Sequence, residues 1–165
     1  MDIKRVYTSL ESLSPLLLGV LQKDIAVTMT VKGGSMYPML TSGRDEVLLK
    51  SLASYRLKKG DIVLYTRDNG QYILHRIVRT HENGYDLCGD HQYLVEKNIP
   101  GDRIIAVVKQ FKRNGRLHKT EEIGYRIYFR LWILLLPLRR LLAGPGISRV
   151  RRLAGQLKRT VRRLR

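Results

Sequence analysis

Hydrophobic positions change their spacing twice along this chain, dividing it into three stretches. Over residues 1–24, Leu10, Leu13, Leu17, Val20 and Leu21 recur at helical intervals and fall on one stripe. Thr8-x-x-Glu11 reads as a capping box. Pro15 lies inside the pattern, so the helix is either kinked there or begins near Ser14 with Pro15 in its first turn. From Ile25 to residue 118 the texture becomes short β-branched and aromatic runs: Ile25–Val31, Glu46–Leu49, Asp61–Tyr65, Tyr72–Arg79, Tyr85–Cys88 and Arg103–Phe111. Asn69-Gly70 and Asn83-Gly84 between them are hairpin signals, because glycine accepts a positive φ. Six or more strands at this spacing predict a mainly β domain built as an antiparallel barrel or folded sheet. Residues 119–165 change again. Ile123–Leu142 is apolar and aromatic but broken by Arg126, Arg130, Pro137, Arg139 and Arg140. Its longest uncharged stretch, Leu131–Leu138, is far below the ~20 residues of a membrane span. After Gly144-Pro145-Gly146, Ile147–Arg165 predicts a basic amphipathic helix with Val150, Leu153, Leu157, Val161 and Leu164 on one face.

Charge sharpens this division. The 165 residues carry 31 Lys or Arg against 14 Asp or Glu, a net +17, and residues 139–165 alone hold ten of the cations with no acid. Such a chain attracts polyanions, either nucleic acid or an anionic membrane face. A single cysteine, Cys88, excludes an intrachain disulfide, and the four histidines show no paired metal spacing. Met1-Asp-Ile-Lys-Arg opens with mixed charge and no A-x-A site follows, so no export signal is expected.

Three groups of residues suggest chemistry. Gly33-Gly34-Ser35-Met36-Tyr37-Pro38 ends a predicted strand with a turn sharp enough to expose a serine hydroxyl beside backbone N–H groups. In the strand Gln71–Arg79, alternation puts Ile73, His75 and Ile77 on one face and Tyr72, Leu74 and Arg76 on the other. A histidine between isoleucines is partly desolvated, which favours the neutral imidazole of a general base. Such a base needs an acceptor at its second nitrogen. Asp90, Glu96 and Asp102 all follow in one loop region, and spacing does not choose among them.

These residues carry a resemblance to the type I signal peptidases, which share a fold with the self-cleaving repressors. Gly33-Gly34-Ser35-Met36-Tyr37-Pro38 resembles the nucleophile box, Ser42-Gly43-Arg44-Asp45-Glu46-Val47 the segment after it, and Lys59-Gly60-Asp61-Ile62-Val63-Leu64-Tyr65 the next box. His75-Arg76-Ile77-Val78 resembles the base-bearing strand, with histidine where the bacterial enzymes usually place lysine, as in the archaeal and endoplasmic-reticulum type. Gly89-Asp90 resembles the last box, although His91-Gln92 departs from its asparagines. The likeness covers about residues 27–110. It implies a signal-peptidase-like folded antiparallel sheet and a serine endopeptidase without cofactor or metal. Ser35 would be the nucleophile and His75 the base, with Asp90 and Glu96 at the positions of the family's functional acids. Gly33, Gly34 and Met36 would border the oxyanion and substrate sites. Some members carry a hydroxyl donor at the position of Gly33; with none here, the Ser35 backbone N–H is the implied donor. The implied substrate is a signal or leader peptide, added as a strand beside Ile25–Gly33. The alternatives are a non-catalytic peptide-binding member of the fold and a basic nucleic-acid-binding protein. Neither a helix-turn-helix segment nor aromatics interleaved with the basic run supports the latter. Residues 125–165, with Tyr125, Tyr128, Phe129 and Trp132 beside arginines, are instead expected to lie on an anionic membrane, attached peripherally from the cytoplasmic side.

Overall fold

The computed structural model describes residues 17–53 and 55–143. The Thr8–Glu11 capping box, Leu10, Leu13 and Pro15 lie outside the described residues, as does the basic stretch Ile147–Arg165. Helix α1 is described over residues 17–22 and places Leu17 and Leu21 in the core, as their spacing predicts.

Eight strands then form one antiparallel sheet: β1 (Val27–Thr30), β2 (Glu46–Lys50), β3 (Ile62–Thr66), β4 (Tyr72–His81), β5 (Gly84–Cys88), β6 (Glu96–Ile99), β7 (Ile104–Arg113) and β8 (Arg116–Lys119). Their order is β1-β2-β7-β3-β4-β5-β6, with β8 paired to β7. The fold is therefore mainly β, as expected. β3 explains why a single sheet has two cores. Its residues alternate between faces, Ile62 and Leu64 joining one cluster with Met36, Leu40 and Val47, while Val63 and Tyr65 join another with Ile77 and Leu87. A strand covered on both sides reads as an unbroken apolar run, and Ile62-Val63-Leu64-Tyr65 is one.

Two strands escape the hydrophobic pattern. β6 (Glu96–Ile99) and β8 (Arg116–Lys119) are mostly polar and sit at sheet margins, where solvent faces them and charged side chains discourage further pairing. The two hairpin glycines also differ from one another. Gly70 takes φ +79° as expected, but Gly84 is not in the left-handed region. A Cβ on Gly84 would stand 2.7 Å from the Ile99 carbonyl oxygen, so close approach of β6 is what requires glycine there.

After β8 the chain folds back over the sheet. Helix α2 (Ile123–Leu134) and helix α3 (Leu136–Ala143) are joined through Leu135, and i→i−4 bonds continue across the junction from Leu135 to Leu131 and from Arg139 to Leu135. The aromatic residues expected at a membrane point the other way. Tyr125 is buried, and Phe129 lies against Gly60 where any Cβ would collide with its ring. Tyr128 stacks on Trp132 with ring centroids 5.5 Å apart. The reason is Arg76 of β4, whose buried guanidinium sits beneath α2 and donates to Tyr125 Oη at 2.8 Å and to the Gly60 carbonyl at 3.0 Å. Its charge is also 5.3 and 5.7 Å from the Tyr125 and Tyr128 ring centres. Among the described residues no helix is long and apolar enough to cross a membrane.

Candidate active site

Ser35 follows β1 through Gly33, which takes φ +79°, and opens a short turn ending at Leu40. The turn is pinned from both sides. Met36, only 1% exposed, belongs to the core below it, and the Ser35 carbonyl accepts the His91 N–H at 2.8 Å. Met36 is therefore packing, whereas Gly33 and Gly34 are exposed beside the serine. Among the described residues no acceptor takes the Ser35 N–H.

His75 lies in the middle of β4, opposite Val63 of β3. Its ring is buried on the face that alternation assigned, with Ile73 and Ile77 beside it in the same core. The position of Nε2 relative to Ser35 follows from Gly89 at the end of β5. A Cβ built on Gly89 would be 3.0 Å from His75 Nε2, 3.1 Å from Ser35 Cβ and 2.6 Å from the Ser35 carbonyl oxygen. One empty point thus lies against both side chains, which bounds the separation of Ser35 Cβ from Nε2 at about 6 Å. The missing side chain of Gly89 leaves the space between them open.

The second imidazole nitrogen meets acceptors. Tyr65 Oη lies 3.1 Å from Nδ1 and Glu96 Oε1 lies 3.4 Å from it. Tyr65 reaches Nδ1 because β3 and β4 pair Val63 with His75, making Tyr65 its diagonal neighbour. Glu96 opens β6 and is fixed by a two-point pairing with Arg67, whose Nε donates to Oε2 at 2.9 Å and whose Nη2 donates to Oε1. Burial, and next the Glu96 carboxylate, push the Tyr65 hydroxyl pKa well up, so it stays protonated. An anion on this side favours the tautomer with its proton on Nδ1, which leaves the lone pair on Nε2, the nitrogen on the Gly89 side. Burial lowers the His75 pKa to about 4, against the opposing pull of Glu96, so the ring is neutral near pH 7. Burial would raise the Glu96 pKa, but the Arg67 hydrogen bonds hold its carboxyl below the ordinary value.

Asp90 does not face His75. Its buried carboxylate takes Arg76 Nε at 2.8 Å and Nη2 at 2.6 Å, and Tyr128 Oη donates to it at 3.3 Å. Successive strand residues leave on opposite faces, so an acid bound to Arg76 is on the far side of β4 from His75. Asp102 stands in the 3-10 turn Gly101–Arg103, where no buried residue lies. The structure therefore brings Ser35, His75 and Glu96 together and sends Asp90 to the α2 interface. Sequence reasoning gives Tyr65, Arg67 and Gly89 no role of their own, although Tyr65 and Gly89 lie in the resembling segments and the alternation that orients His75 also orients Tyr65. Among the described residues no cluster of His, Cys, Asp and Glu is suited to a metal. Compared with known proteins, the chain matches no family model and no curated protein.

Proposed function

We propose that this protein is a serine endopeptidase of signal-peptidase-like fold, with Ser35 as nucleophile, His75 as general base and Glu96, through Tyr65, as the group that orients the base. The observation that carries this reading is the convergence of Ser35 and His75 Nε2 on the empty side of Gly89, with an anchored carboxylate at Nδ1. The order of the resembling boxes in the sequence supports it independently.

The chemistry is acyl transfer. The Ser35 hydroxyl attacks a peptide carbonyl, its proton passes to His75 Nε2, and a C–O bond forms. The imidazolium then gives that proton to the leaving nitrogen as the C–N bond breaks. Water, deprotonated by the same nitrogen, hydrolyses the ester and restores the serine. The Ser35 N–H is the donor available to the oxyanion. β1 is the terminal strand of the sheet and pairs only with β2 among the described residues. Its open edge leads through Gly33 to Ser35, so a substrate added there as an extended strand runs past the nucleophile. A signal or leader peptide is the substrate class, and the site of action is the cytoplasmic face of an anionic membrane, where the cationic C-terminal part holds the protein.

The test is digestion of a peptide library by the wild type, Ser35→Ala and His75→Ala. General-base action contributes ~10²–10⁴-fold, so His75→Ala should lose at least about a hundredfold in rate, and Ser35→Ala, which forms no acyl-enzyme, should lose more. Equal cleavage by all three, or none by the wild type, would leave a peptide-binding protein in place of an enzyme.

A further inference from the structure

Helix α2 is apolar on both sides, and the described residues cover only one of them. Tyr125, Tyr128, Phe129 and Trp132 face the sheet, whereas Ile123, Ile127, Leu131, Leu134, Leu138 and Leu141 of α2 and α3 are between 48 and 75% exposed. Their intervals of four, four, three, four and three residues trace a single helical stripe. Along the flank of that stripe, between the two helices and strands β4 to β6, runs an open groove of about 910 Å³. Five cations line it: Lys59, Arg79, Lys97, Arg130 and Arg140. Its one acid, Asp86, is already engaged by His81 at 3.0 Å and by the Asn98 N–H at 3.1 Å. Leu134 belongs to both the stripe and the groove wall, so the apolar and cationic surfaces are continuous.

The occupant has to satisfy both surfaces. From Ile123 to Arg165 the chain carries twelve Lys or Arg and no acid. A second copy of the protein would cover the stripe but bring cations against cations. A nucleic acid would neutralise the groove and leave the leucines in water. An anionic bilayer does both, with lipid phosphates seated among the groove cations and acyl chains over the stripe. The geometry points to the outer face of α2–α3, with the groove beside it, as the surface that docks on an anionic bilayer. The helices lie in the headgroup layer while their aromatic side stays on the protein. This deepens the membrane attachment proposed above and does not depend on the peptidase chemistry.

Flotation of the full chain with phosphatidylcholine vesicles, with and without phosphatidylglycerol, tests it. The wild type should float only with the anionic vesicles. The variant Ile127→Gln/Leu131→Gln/Leu134→Gln changes three exposed positions, no charge and little helix propensity, so its melting temperature should be nearly unchanged and its partition should fall about a hundredfold. Arg79→Gln and Lys97→Gln should each lower partition about fivefold. Trp132, the only tryptophan, reports the orientation. Facing the protein, it should resist quenching by brominated lipid. Wild-type partition in the triple variant would assign binding to residues beyond 143 and overturn the docking face while leaving attachment intact. Strong quenching of Trp132 would overturn it too, by showing that the aromatic side inserts. A dimer of the wild type that the triple variant loses would make the stripe a self-association surface. Failure of the wild type to float would remove attachment and docking face together. None of these outcomes touches Ser35 or His75.

Discussion

Gly89→Ala is a minimal change that would separate Ser35, the proposed nucleophile, from His75, the proposed base. Gly89 is not among the positive-φ glycines, so the objection to a side chain there is steric and not torsional. The added methyl would stand 2.6 Å from the Ser35 carbonyl oxygen, 3.0 Å from His75 Nε2 and 3.1 Å from Ser35 Cβ. Carbon and oxygen in contact prefer separations nearer ~3.3 Å, so either the Ser35 turn or the β5 end must move by roughly 0.5–1 Å. Two consequences follow in different measurements. Overpacking of this kind costs about 1–3 kcal/mol, and weakening the His91 N–H bond to the Ser35 carbonyl adds about 1 kcal/mol, a loss visible as a lower melting temperature. The displacement falls on the serine itself, and a misplacement of about 1 Å can cost ~10²-fold in rate. Steady-state cleavage of a fluorogenic peptide should therefore show kcat/KM down by about a hundredfold, while circular dichroism reports a folded sheet. Full activity in a folded Gly89→Ala protein would refute the reasoning, since the two side chains would then not need the space that glycine leaves.

Other perturbations test the remaining parts of the site. Tyr65→Phe keeps the ring in the core but removes the hydroxyl 3.1 Å from His75 Nδ1, so kcat should fall about tenfold with KM unchanged and with about 1 kcal/mol lost in stability; an unchanged kcat would show that Glu96 orients the imidazole alone. Asp90→Asn leaves the buried Arg76 guanidinium without its anion and should cost about 3–5 kcal/mol in urea unfolding, with Arg76→Met/Asp90→Asn recovering much of it; a variant as stable as the wild type but inactive would make Asp90 the functional acid instead. The activity–pH profile should fall as pH drops through about 4, where His75 takes up a proton in the folded enzyme; a limb that appears only above about pH 9 would point to a lysine base. Stability follows the same group. The unfolded histidine binds its proton near pH 6.5 and the folded one near 4, so stability is complete above the first value and about 3 kcal/mol of it is lost as pH falls to the second. His75→Gln should flatten that part of the stability curve.

The strands that the chain announced are those with a buried face. Ile62–Tyr65 and the alternation around His75 were legible because apolar side chains at a period of two specify both the element and its orientation. β6 and β8 were not, since a marginal strand draws its stability from ladder bonds that leave no mark on its side chains. The side of α2 that packs was hidden for the opposite reason. A helix with apolar residues on two sides does not say which side is covered, and the decision lies with Arg76, about fifty residues earlier, whose charge selects the tyrosine face. Alternation places Arg76 on the face of Tyr72 and Leu74, but its partners Asp90 and Tyr125 come from distant parts of the chain and leave no local mark. The choice between Asp90 and Glu96 has the same origin. Asp90 lies in the loop after β5 and Glu96 at the first position of β6 where that loop ends, and which acid faces His75 depends on the path of the loop, which no local pattern fixes.

That path is held from two directions. On one side His91 ties the loop to the Ser35 turn. On the other, the Asp90 carbonyl accepts from Trp132 Nε1 at 2.9 Å and from Arg139 Nη1 at 2.5 Å, and Arg140 Nε donates to the Tyr93 carbonyl at 3.0 Å. The Arg139 guanidinium also stacks on Trp132, 4.5 Å from its ring centre. These bonds reach backbone carbonyls, so they fix the course of the loop whatever side chains it carries, and the Arg76–Asp90 pair locks its first turn to the sheet. Gly89 and Glu96 stand at the two ends of this clamped segment, one against Nε2 and the other against Nδ1 of the same imidazole. The C-terminal helices therefore act on the candidate site through the backbone of one eight-residue stretch, 89–96. The inner side of α2–α3 positions the groups around His75, and its outer side is left to face a surface.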